Sequence, residues 1–93
     1  MGIDIRHDET GHRFVATVDG AEALVEYRRP DEATIEYHRT WTPEPLRGRA
    51  IAGRIVEAAL EYAKTHGLRV VPTCPYVARF IERRAEYRSL FDA

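Results

Sequence analysis

The chain has 93 residues, 14 of them Lys or Arg against 15 Asp or Glu, for a net charge of −1. That length fits one domain with one modest core, residues 1–93, and the balanced charge supplies no global field toward nucleic acid or an acidic membrane. The single cysteine, Cys74, excludes an internal disulfide and a Cys-cluster metal site.

Ile3 and Ile5 alternate with polar neighbours and predict a short first strand. Asp8 to His12, with Gly11, reads as a turn. Phe14, Ala16 and Val18 alternate with Arg13, Val15 and Thr17 in a second strand. Asp19-Gly20 then signals a tight hairpin. Ala23, Val25 and Tyr27 mark a third strand, and Arg29 to Glu32, with Pro30, the next turn. Thr34 to Thr42 is rich in β-branched and aromatic residues. Strict alternation in this fourth strand puts Ile35, Tyr37 and Trp41 on one face and Glu36, His38 and Thr40 on the other. Pro43 and Pro45 end it.

The period then changes to that of a helix. Ile51, Ile55, Ala58, Ala59 and Tyr62 recur at helical spacing, so one long helix is predicted over 48–66. Glu57 and Glu61 fall on its solvent side, within reach of Lys64 or Arg54. Gly67 suits its C-terminal cap. Leu68 to Val71 is a short buried fifth strand. Pro75 fits the first position of a second helix, with Cys74 as its N-cap and Val77, Phe80 and Ile81 as its apolar face. Tyr87, Leu90 and Phe91 form a last apolar cluster. The order β-β-β-β-α-β-α implies an α+β fold with a mixed, mostly antiparallel sheet. The fourth and fifth strands flank a right-handed crossover and run parallel.

Two features meet at the carboxyl ends of that parallel pair, where ligands favour binding. One is Arg47, Gly48, Arg49, Ala50, Ile51, Ala52, Gly53 and Arg54. Three of these eight are positive at the start of a helix, where unpaired N–H groups and the macrodipole usually recruit Asp or Glu. Small residues and guanidinium groups make sense there as a phosphate cradle. Gly48 and Gly53 have P-loop spacing, but Arg54-Ile55 replaces the Lys and hydroxyl that a nucleotide hydrolase needs. The other feature is Cys74, whose thiolate would feel the positive end of the last helix. Tyr76 beside it is a candidate wall. His7, His12, His38 and His66 lack helical metal-ligand spacing, so no metal site is expected. No apolar run approaches the ~20 residues of a membrane helix, and Met1-Gly2-Ile3-Asp4 lacks a secretory leader. A cytoplasmic protein without membrane or nucleic-acid partners is expected.

Three stretches resemble the small GCN5-related N-acetyltransferases, closest to their short, single-domain YjdJ-type members. They are Thr40-Trp41-Thr42-Pro43-Glu44-Pro45-Leu46-Arg47-Gly48-Arg49-Ala50-Ile51-Ala52, then Val56-Glu57-Ala58-Ala59-Leu60, then Leu68 through Val77. The resemblance implies the family's acyl-CoA acyltransferase fold and acetyl-coenzyme A as the acetyl donor. The family's pyrophosphate signature falls on Arg47 to Ala52, with Ala50 where glycine is usual. The pantetheine arm would run along Thr40, Trp41 and Thr42, where the fourth and fifth strands splay. Arg39 stands where the subgroup often has His, and alternation points His38 to the opposite face from Arg39, so no catalytic role passes to His38. Subgroup resemblance favours Cys74 beside the acetyl group, as nucleophile or proton-transfer group. The acceptor implied is an amine, and the strand patterns that stand here where larger members place extra helices suit one on a peptide or protein. The alternative is a non-catalytic module that binds coenzyme A.

Overall fold

A computed structural model describes residues 3–90. The sheet runs in sequence order: β1 (Ile5–Asp8), β2 (Arg13–Val18), β3 (Ala21–Asp31), β4 (Thr34–Trp41) and β5 (Arg69–Val71). The first four are antiparallel neighbours, and β5 pairs parallel to β4. Helices α1 (Ile51–Thr65), α2 (Pro75–Arg83) and α3 (Ala85–Arg88) complete the α+β order expected. The first strand starts two residues later than the Ile3–Ile5 pattern suggested, and Phe91 lies outside the described residues.

Local chemistry sets the turns. Asp19 (φ 51°) and Gly20 (φ 80°) both take positive φ, the two-residue turn whose twist matches its flanking strands. Asp8 closes the β1–β2 turn, accepting from the Gly11 N–H and the Arg13 Nε at 3.0 Å each. Strand β3 runs on to Asp31, so the turn into β4 is shorter than expected. Asp31 accepts the Ala33 N–H at 2.8 Å, and Arg29 donates to the Glu32 and Thr34 carbonyls at 2.9 Å.

One sheet face carries the core. Phe14, Ala16, Ala23, Val25, Tyr27, Ile35, Tyr37 and Val70 pack against Ile51, Ile55, Val56, Ala59, Leu60 and Ala63 of α1 and Val77 and Ile81 of α2. Ala16 sits directly opposite Ala23, so two small side chains let α1 lie close to the strands. The Tyr37 hydroxyl, buried beneath α1, donates to the Ala59 carbonyl at 2.5 Å, which satisfies the one polar atom of that ring. The outer face is mixed: Arg39 pairs with Glu26 at 3.0 Å and Arg28 with Glu36 at 3.5 Å, while Val15, Leu24 and Trp41 form an apolar row across β2, β3 and β4.

Strand β4 departs from strict alternation. Glu26 sits opposite Arg39, yet Tyr27 sits opposite Tyr37, so His38 is an extra residue on β4. Such a bulge resets the faces beyond it. Thr40 lies opposite core residue Val25, and Trp41 opposite Leu24. The expected grouping of Trp41 with Ile35 and Tyr37 is therefore reversed, and Thr40 turns to the core side. The expected opposition of His38 and Arg39 also gives way, because alternation breaks between them. Pairing of β4 with β5 spans only Thr34–Glu36, after which the strands part.

The first helix also starts later than 48. Gly48 (φ 78°) and Ala50 (φ 60°) are left-handed, which α-helical backbone excludes, so α1 opens at Ile51. Glu57 and Glu61, expected to find Lys64 or Arg54 along the same helix, reach across instead. Arg84 donates to Glu57 at 3.1 Å and the Tyr87 hydroxyl to Glu61 at 2.6 Å, because α3 docks on α1.

Candidate functional site

The segment between β4 and α1 is a built loop. A single 3-10 turn, Glu44–Leu46, follows Pro43, and Leu46 is buried beneath it. Arg47 Nε donates to the Thr42 carbonyl at 2.9 Å, and its guanidinium lies 5.6 Å from the Trp41 ring centroid. Arg47 therefore staples the loop as well as adding charge beside it. Gly48 meets nothing within 4 Å of where a Cβ would stand, so its backbone faces open space. Ala50, in the left-handed region, turns the chain into the helix.

The consequence is a run of unused donors. Among the described residues, the N–H groups of Gly48, Arg49, Ala50, Ile51, Ala52 and Gly53 have no acceptor; the first helical bond is Arg54 N–H to the Ala50 carbonyl at 3.4 Å. No side chain caps the helix, and its first turn holds no acidic residue. Uncapped amides at the positive end of a helix dipole favour an anion.

The loop borders a hollow of about 380 Å³ lined by Thr42, Leu46, Arg47, Gly48, Ala50, Ile51, Ala52 and Tyr76. Seven residues singled out in the sequence meet there: Thr42, Arg47, Gly48, Ala50, Ile51, Ala52 and Tyr76. Leu46 was missed; a lone Leu between Pro45 and Arg47 was its only signal. Arg49 and Arg54 turn to another side of the loop. They line a second hollow of about 490 Å³ with Asp4 and Asp19, and Arg49 pairs with Asp19 at 3.3 Å. Gly53 lies under the α2 rings, 3.7 Å from Tyr76 and Phe80 by its hypothetical Cβ. Trp41 is 43% exposed on the outer sheet face.

Where β4 and β5 part, Thr40 and Cys74 face each other. Thr40 Oγ1 and Cys74 Sγ are 3.4 Å apart, and the Cys74 N–H donates to the Tyr37 carbonyl at 3.0 Å. The bulge at His38 makes this possible by turning Thr40 inward. Cys74 is the N-cap of α2, as its place before Pro75 predicted, and is only 7% exposed. Burial alone pushes its thiol up. The Thr40 hydroxyl and the amides of Val77, Tyr76 and Thr40, all aimed toward the sulfur, outweigh that and hold it below the ordinary thiol value.

His38 is half-buried at the bulge, and Arg39 is taken by Glu26. Among the described residues no group of three His, Cys, Asp or Glu gathers to hold a metal. No helix there is long and apolar enough to cross a membrane.

The sequence model of the family described as GCN5-related N-acetyl-transferase matches residues 13–90. The chain is 28% identical over 80 residues to protein NATD1 of Danio rerio, covering 84% of this chain and 73% of that one. It is 26% identical over 82 residues to protein NATD1 of Homo sapiens, covering 86% and 73%. In solved structures it resembles a GCN5-like candidate N-acetyltransferase from Staphylococcus aureus, determined by NMR. The TM-score is 0.74 at 22% identity, covering 94% of this chain and 85% of that one.

Proposed function

The chain belongs to the GCN5-related N-acetyltransferase family, and on that premise we propose that it binds acetyl-coenzyme A at the 47–52 loop and passes the acetyl group to an amine. The observation that carries this reading is the row of six amides without acceptors, from Gly48 to Gly53, at an uncapped helix start. A pyrophosphate supplies the acceptors and negative charge that such a row lacks. Gly48 offers it bare backbone, and Arg47 is braced beside it by Thr42 and Trp41. Thr42 and Tyr76 wall the same hollow.

When bound, the thioester supplies an acetyl group open to nucleophilic attack. The opening between β4 and β5 leads to Thr40 and Cys74. Thr40 and the nearby amides stabilise the Cys74 thiolate, which is the reactive form of the side chain. We assign Cys74 as the nucleophile: its sulfur bonds to the acetyl carbon as the bond from that carbon to the donor sulfur breaks. The acceptor amine must be neutral to take the group onward. Strands β1 to β4 follow one another through short turns, with no helix inserted among them to enclose an acceptor, which supports a peptide or protein amine over a small enclosed molecule.

Two measurements test this. Acetyl-coenzyme A at a hundredfold excess over its Kd should stabilise the fold by about 2.7 kcal/mol, a Tm rise of about 10 °C or more. Intact mass after incubation should show one added acetyl group, absent in Cys74→Ser. No thermal shift at millimolar ligand rejects the binding site. A shift without an adduct, but with acetyl transfer to a peptide amine, replaces Cys74 with direct attack by the acceptor. A shift with neither leaves a coenzyme A-binding module.

A further inference from the structure

The loop's hollow does not end at Tyr76. The same ring borders a smaller hollow of about 110 Å³ lined by Tyr76, Arg79, Phe80 and Arg83. These four residues lie at spacings of three, four and seven along α2, so they form one face of that helix. Its opposite face, Val77 and Ile81, is fully buried. The stripe thus alternates ring, guanidinium, ring, guanidinium, and begins at the wall of the amide loop; its inner ring, Phe80, is half-buried against the core with the Arg84 guanidinium 4.9 Å from its centroid, so Tyr76 is the ring left open for stacking.

The two arginines have no structural employment. Among the described residues neither Arg79 nor Arg83 forms a hydrogen bond or an ion pair, although Glu82 stands between them on the same helix. Their neighbours differ: Arg84 pairs with Glu57 at 3.1 Å, and Arg88 donates to the Glu82 carbonyl at 2.6 Å. Like charges four apart on a helix repel, and Tyr76 is left 43% exposed between loop and stripe. A solvated face would gain from swapping either arginine for an acid. A ligand that carries a ring and a second phosphate would gain from keeping both, by stacking and by charge-assisted hydrogen bonds.

We infer that the Tyr76–Arg79–Phe80–Arg83 stripe is a second anion subsite, which recognises the 3′-phosphate of the coenzyme's adenosine end and so selects coenzyme A over its 3′-dephospho form. This rests on the coenzyme reading above and adds the group that would set donor selectivity. Neighbouring hollows that share Tyr76 match a ligand whose two phosphate groups are joined through one ribose. The monoester carries nearly two negative charges at pH 7 and titrates near pH 6, so the preference should shrink at pH 5.

Calorimetric titration with coenzyme A and with 3′-dephospho-coenzyme A separates the possibilities. The unaltered chain should bind coenzyme A about tenfold more tightly or better, the scale of one or two charge-assisted contacts. In the Arg79→Ala/Arg83→Ala double variant that ratio should fall to near one, with a shallower salt dependence for coenzyme A. Equal affinity of the unaltered chain for both ligands overturns the subsite while leaving the loop intact. So does an undiminished ratio in the variant, or loss of both ligands together, which would tie these arginines to the pyrophosphate. Binding of neither ligand by the unaltered chain rejects the loop and the subsite alike.

Discussion

Ala50 holds a left-handed conformation that an L side chain resists by roughly 1–2 kcal/mol. Its methyl group also borders the hollow where the amides converge. Replacement by glycine removes the strain but restores freedom to the unfolded chain, which offsets part of the gain. Ala50→Gly should therefore raise stability by about 0.5 kcal/mol, a Tm increase of about 2–4 °C in a melting scan. Tighter acetyl-coenzyme A binding should accompany it; weaker binding would mean that the methyl group supports the ligand. The departure from the family's glycine was visible in the sequence as a change of residue type. Its backbone meaning was not, because a sequence shows the side chain that is present and not the dihedral it must accept.

Strand β4 is where element and function join. The extra residue at His38 turns Thr40 toward Cys74, and the strand leaves β5 after Glu36. Deleting His38 keeps Tyr37 inward, Arg39 outward and Thr40 inward, since a bulge residue is supernumerary to the alternation. The fold should survive with a cooperative melt, while the straightened strand loses its opening. Affinity for acetyl-coenzyme A should drop about tenfold, or about 1.4 kcal/mol, as expected when the arm that would enter beside Thr40 loses its opening. Unchanged affinity would show that the bulge is dispensable. Most elements were legible in the sequence: the Asp19-Gly20 hairpin, the α1 stripe from Ile51 to Ala63 and Cys74 as cap all follow from local chemistry. The bulge was hidden because Ile35, Tyr37 and Trp41 share one phase of an unbroken alternation, which carries no sign that a residue is skipped before Trp41. The late start of α1 was hidden by Ile51 and Ala52, which continue a helical pattern that positive φ at Gly48 and Ala50 interrupts. The partners of Glu57 and Glu61 depend on where α3 docks, which local spacing does not encode.

Across the whole molecule, the loop between β4 and α1 and a cluster of rings occupy different places. His7 stacks on Phe14 at 4.2 Å, meets the Tyr62 edge at 4.6 Å and shares a 2.7 Å hydrogen bond with the Tyr27 hydroxyl. These contacts join β1, β2, β3 and α1. Burial lowers the His7 pKa from 6.5; Glu9 and Asp8 oppose that shift, and His66 adds to it. A lowered histidine binds protons more readily unfolded, so stability is greatest above the unfolded value and falls as pH drops through 6.5 toward the folded value. The carboxylates with lowered values, Asp8 and Glu36, act further down, below 3.8 and 4.5. A melting series from pH 7.5 to 5.5 should show Tm falling with acid, and His7→Gln should flatten that slope; an unaltered slope would place the titration elsewhere. Trp41, meanwhile, is the chain's sole tryptophan, flanked by Arg39 and Arg47 at 6.0 and 5.6 Å. All indole emission thus originates beside one loop staple, so the unlabelled protein carries a built-in fluorophore whose intensity and colour should change when Arg47 is disturbed.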